Sequence, residues 1–95
     1  MGTFNKKASY ELSNYTYENE VLTSDFSCKK SILIPSEVVS INGQFYKTDE
    51  TKTYIGNFDV AKDGDDYRIT TSQIPYSMIS AVNDAIEEII DEMTK

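Results

Sequence analysis

The chain contains no histidine, one cysteine, two prolines and four glycines. Without histidine, neither a Ser-His nor a Cys-His pair can form, which removes the common routes to an activated nucleophile. A lone cysteine, Cys28, excludes an internal disulfide and a cysteine-based metal site. The glycines stand at positions 2, 43, 56 and 64, so no Gly-rich phosphate loop exists. Bases are scarce as well, nine against sixteen acids, and only Lys6-Lys7 and Lys29-Lys30 are adjacent. A net charge of −7 repels a phosphate backbone. Direct nucleic-acid binding is therefore not expected, and a basic protein is the partner that fits. No apolar run is long enough to cross a bilayer, and the first residues lack the apolar stretch of a signal peptide. Gly2 would suit myristoylation, but that pattern places Ser or Thr where this chain has Lys6. A cytoplasmic location without membrane contact, an absence of cofactor and metal, and no enzymatic activity are the corresponding expectations.

What is present argues for a folded chain. Hydrophobic residues make up 39% of the sequence, including seven Tyr and four Phe, more than a disordered acidic tail carries. Ninety-five residues suit a single domain, 1–95, and the abundance of Tyr, Thr and Ser leans toward strands. Residues 8–71 read as short strands joined by turns, after which the periodicity becomes helical. Tyr10 and Leu12 alternate with polar residues while Tyr15 and Tyr17 carry the opposite parity, which predicts a bulge or turn at Ser13-Asn14. Leu22, Ser24, Phe26 and Cys28 share one face, and the apolar run 31–34 is stopped by Pro35, which belongs at a strand end. Asn42-Gly43 between 38–41 and 44–47 predicts a two-residue hairpin turn. A second hairpin is expected from 53–61, with Tyr54, Phe58 and Val60 on one face. It turns at Asp63-Gly64-Asp65-Asp66 and returns over 67–71 with Tyr67 and Ile69 inward. The predicted fold class is α+β: an antiparallel sheet of five or six short strands with one long C-terminal amphipathic helix, 75–94, packed on one face.

That helix carries the strongest pattern in the chain. At 100° per residue, Met78, Ile79, Val82, Ile86, Ile89, Ile90 and Met93 form one stripe. Asp84, Glu87, Glu88, Asp91 and Glu92 form the opposite one. Residues 76–95 thus hold five acids and one base. Asp84 with Glu88, Glu87 with Asp91, and Glu88 with Glu92 are like-charged i,i+4 pairs, each costing about 0.2 to 0.5 kcal/mol. Asp91 and Glu92 also sit near the negative end of the helix dipole. Five charges over eight residue steps give about one per 2.4 Å of axis, near the roughly 1.7 Å spacing of duplex DNA. The ridge is the candidate partner-binding site, with mimicry of a nucleic-acid backbone as its sharper form. Against this stands the plainer reading of a solvated face that keeps a small protein soluble.

Other constellations carry less. Asp63-Gly64-Asp65-Asp66 resembles a calcium loop only superficially, because an EF-hand needs Gly at its sixth position and a bidentate Glu at its twelfth. A hairpin turn is the preferred reading there. Tyrosines left off the helix-covered side are contact candidates, or a second copy covers them. The sequence favours a non-enzymatic acidic module, in sharper form a small inhibitor of the counter-defence or host-takeover type. The alternatives are a subunit of a homo-oligomeric particle such as a virion, and a small-ligand-binding oligomer.

Overall fold

The computed structural model describes residues 10–32 and 37–95. Five strands, β1 (Tyr10–Glu18), β2 (Leu22–Ser31), β3 (Val38–Lys47), β4 (Tyr54–Asp63) and β5 (Asp66–Ser72), precede a 3-10 turn at Tyr76–Met78 and a helix, α1, at Ile79–Met93. Each strand pairs antiparallel with the next, so the sheet is an up-and-down meander in chain order. This is the expected α+β architecture. The helix is shorter than 75–94 because Pro75, with extended backbone, leads into the 3-10 turn rather than into the helix itself. At its other end Thr94 departs from helical geometry, its hydroxyl donating to the Ile90 carbonyl at 2.8 Å.

The core lies on one side of the sheet. Alternation brings Leu22, Ser24, Phe26 and Cys28 inward from β2, as the sequence indicates, and all four are buried. They form one cluster with Val38, Ile41 and Phe45 of β3, Ile55, Phe58 and Val60 of β4, and Val82, Ala85, Ile86, Ile89 and Met93 of α1. Phe45 and Phe58 stack at its centre with ring centroids 4.8 Å apart. Side chains of this size contribute roughly 1.5 to 3 kcal/mol each when fully buried.

Asn42-Gly43 does not turn the chain. β3 runs unbroken through it, with Gly43 opposite Phe26 on one side and Phe58 on the other. A Cβ at Gly43 would stand 2.5 Å from the Phe26 Cβ, 2.7 Å from the Asp25 carbonyl oxygen and 2.8 Å from the Phe58 ring. The glycine is there for close approach of two aromatics, so the strongest short-range turn signal in the chain reflects packing instead. The β3–β4 connection is built by Asp49. Its Oδ1 accepts from the Thr51 and Lys52 amides at 3.0 and 2.8 Å and from the Thr51 hydroxyl at 2.7 Å. The Thr51 hydroxyl, followed by those amides, holds its carboxyl below the usual range. The β4–β5 turn falls where expected: Asp63 pairs with Asp66 around a two-residue loop, and Gly64 takes a φ of 64°.

Three further expectations change. No bulge occurs at Ser13-Asn14, since the β1–β2 register is continuous from Tyr10 to Glu18. Opposite parities coexist because β1 is an edge strand: Tyr15 stacks on buried Phe26 on the helix side, while Leu12 points outward and is 64% exposed. Tyr54 leaves the Phe58 and Val60 face because the register shifts between Phe45 and Tyr46, so that buried Ile55 takes the inner position. Ile69 does pair with Val60, but on the other edge strand it stays 49% exposed, whereas Tyr67 packs against the core. The reading of Pro35 as a strand stop lies outside the described residues.

Candidate protein-binding surface

Asp84, Glu87, Glu88, Asp91 and Glu92 are all exposed on α1, opposite its buried residues. Among the described residues only one of them forms a salt bridge: Glu92, to Lys95 at 2.8 Å, an exposed i,i+3 pair. That pair lowers the Glu92 carboxyl and raises the Lys95 ammonium relative to their ordinary values. Asp84, Glu87 and Asp91 have no such partner, so their like-charge neighbours go unopposed.

Glu88 is tied to the sheet. It accepts a hydrogen bond from the Tyr17 hydroxyl, which in turn accepts from the Asn19 Nδ2 at 3.0 Å. Asn19 also builds the β1–β2 turn, its Oδ1 accepting from the Val21 and Leu22 amides at 2.8 and 2.9 Å. Burial first, and then the Glu88 hydrogen bond, push the Tyr17 phenol above its ordinary pKa of 10.0. A connected series of polar contacts therefore fixes the edge of the sheet to the acidic side of the helix.

The ridge splits the helix surface into two flanks. Toward β1, a groove of about 580 Å³ is floored by Tyr15, Tyr17 and Phe26, walled by Ile89 and Met93, and rimmed by Glu88, Asp91, Glu92 and Lys95. Toward β5, a smaller notch of about 270 Å³ lies between Ile69 and the Ile86, Glu87 and Ile90 side of the helix. The acidic ridge was legible from the sequence, but the β1 groove was not. Tyr15 and Tyr17 gave its only signal through their parity.

The uncovered sheet face holds a second concavity, about 670 Å³, lined by Asn14, Thr16, Asp25, Ser27, Asn42, Gln44, Asn57 and Asp59 among others. Cross-strand hydrogen bonds knit part of it together, Ser27 to Asn14 at 2.6 Å and Thr16 to Asp25 at 3.1 Å. Its chemistry is that of a solvated sheet face. Cys28 is buried, and desolvation raises its thiol pKa, the opposite of what a reactive cysteine requires. Among the described residues no group of three or more His, Cys, Asp or Glu side chains could hold a metal ion, and no helix is long and apolar enough to cross a membrane. No family model, no curated protein and no solved structure matches the chain.

Proposed function

We propose that this chain is a non-enzymatic, acidic protein-binding module that acts in the cytoplasm and engages a basic surface of a partner protein through the α1 ridge. The observation that carries this reading is the ridge itself: five exposed carboxylates, four of them without a salt bridge among the described residues, along a helix whose opposite face lies in the core. Selection for stability alone would have interspersed lysines, since each like-charged pair opposes folding. In its sharper form the module is a small inhibitor, of the kind used in counter-defence or host takeover, that occupies a nucleic-acid-binding groove by presenting carboxylates at near-phosphate spacing.

A second reading has its own support. Both sheet edges, β1 and β5, carry partly exposed apolar side chains, Leu12 at 64% and Ile69 at 49%, and Tyr76 beyond β5 is 93% exposed. Those features suit a subunit of a homo-oligomeric assembly. Size-exclusion chromatography with light scattering separates the two. A monomer at micromolar concentration is expected for the module. A closed ring or larger particle, unaltered by changing Glu87, Glu88 and Asp91 to Gln, Gln and Asn, would favour assembly.

A further inference from the structure

β1 is an edge strand, and among the described residues nothing pairs with its outer side. Which of its backbone groups are free follows from the turn. The Asn19 amide donates to the Leu22 carbonyl at 2.9 Å, so Asn19 and Leu22 form a hydrogen-bonded pair. Antiparallel ladders alternate bonded and non-bonded pairs. Tyr17, Tyr15 and Ser13 therefore bond to β2, while Glu18, Thr16, Asn14 and Leu12 direct their amides and carbonyls away from the sheet. These four residues offer a template about 20 Å long at 3.3 Å per residue.

The groove between β1 and α1 runs beside that free edge on the helix side. A strand added there would place every second side chain over Tyr15, Ile89 and Met93, beneath the rim of Glu88, Asp91 and Glu92. An apolar floor under an anionic rim suits a long cationic side chain, whose methylenes lie on the floor while its charge meets the carboxylates. The intervening side chains would continue the uncovered face, beside Asn14 and Thr16. A second copy of this chain is the poorer occupant: its own β1 carries Glu11 and Glu18 and no base, and its other edge, β5, offers one base, Arg68, which already pairs with Asp63. The β5 edge is also the poorer site, since its notch has less than half the volume.

We propose that the free edge of β1 and the adjoining groove accept an extended basic segment of the partner protein, added as a sixth strand. This rests on the protein-binding reading above and supplies its mode of recognition. The probe is a fluorescein-labelled peptide of alternating threonine and arginine, titrated by anisotropy into the full chain. A control peptide is N-methylated on the arginine-flanking amides that would face β1. Loss of two or three backbone hydrogen bonds should weaken the N-methylated peptide at least about tenfold at unchanged charge. Thr16→Pro, which removes an outward amide without touching the β2 ladder, should weaken the parent peptide similarly. Glu88→Gln with Glu92→Gln should weaken it too, and Asp65→Asn, in the β4–β5 turn away from the ridge and groove, should leave it within about twofold. The N-methylated peptide keeps the test decisive even if Thr16→Pro fails to fold. Equal binding of both peptides would overturn strand addition while leaving a charge-driven ridge intact. No binding of the parent peptide, or a dimer of the chain abolished by Thr16→Pro, would likewise overturn it.

Discussion

Replacing Gly43 by alanine tests the packing that overrides the turn signal. The new Cβ would meet Phe26 at 2.5 Å, the Asp25 carbonyl oxygen at 2.7 Å and the Phe58 ring at 2.8 Å. The first two neighbours are fixed to the β2 backbone, so relief requires β2 and β3 to move apart. Overpacking of this kind costs about 1 to 3 kcal/mol, and two immovable contacts place Gly43→Ala at the upper end. Alanine returns roughly 0.5 to 1 kcal/mol through its lower backbone entropy in the unfolded chain. The net loss is about 2 kcal/mol, equivalent to a fall in Tm of roughly 8 to 16 °C for a domain of this size. A chain of this length is stable by roughly 5 to 14 kcal/mol, so the variant should remain folded and measurable. Urea denaturation followed by circular dichroism should show a lower midpoint at unchanged slope. Because a hairpin tip would also resist alanine, Phe58→Leu is combined with it. Withdrawing the ring removes one of the three contacts, so the double variant should be less destabilised than the sum by about 0.5 kcal/mol or more. Strict additivity, or a Gly43→Ala protein as stable as the parent, would refute the close-approach account.

Changing Glu87, Glu88 and Asp91 to Gln, Gln and Asn removes all three like-charged pairs and leaves an acceptor for Tyr17, so Tm should rise by roughly 2 to 12 °C at low salt. A fall in Tm by calorimetry would show that the ridge stabilises the fold. The Ser24 hydroxyl is fully buried without a hydrogen-bond partner among the described residues, and Ser24→Ala should stabilise the protein by about 1 kcal/mol in urea; equal or lower stability would indicate a partner for it. Ile89 is 1% exposed, so Ile89→Asp should abolish the folded state, and a native circular dichroism spectrum would contradict the assigned helix faces. The folded-state pKa of Tyr17 is raised, so its stabilising contribution is complete below about pH 10 and is lost as pH climbs through the folded value. Stability curves of the parent and Tyr17→Phe should therefore converge above pH 10, and a gap that stays constant would place Tyr17 outside the Glu88 contact.

The fold class was legible because period changes are global. Alternation on β2 and helical spacing after Pro75 each summed many residues and identified the buried Leu22, Phe26, Ile86 and Ile89. Local signals misled wherever a tertiary contact used the same residue type. Gly43 reads as a turn because glycine serves both positive φ and close approach, and nothing nearby in sequence announces Phe58 as its neighbour. Tyr54 was placed inward because a register shift that admits Ile55 is invisible to strict alternation. The five ridge residues follow from helical projection alone, whereas the groove beside β1 arises from a strand and a helix far apart in the chain. Tyr17 and Glu88 bond across 71 positions.

Affinity capture with three baits tests whether the α1 ridge binds a basic protein. One bait is the native chain, and one is neutralised at Glu87, Glu88 and Asp91. The third is neutralised at Asp63, Asp65 and Asp66, which gives the same change of net charge in the β4–β5 turn. Captured proteins are quantified by mass spectrometry and eluted with increasing salt. A partner with a basic surface is expected to be held by the native and turn-neutralised baits, lost from the ridge-neutralised bait and released at moderate salt. Equal capture by all three baits would contradict it, and the ridge would then be a solvated face.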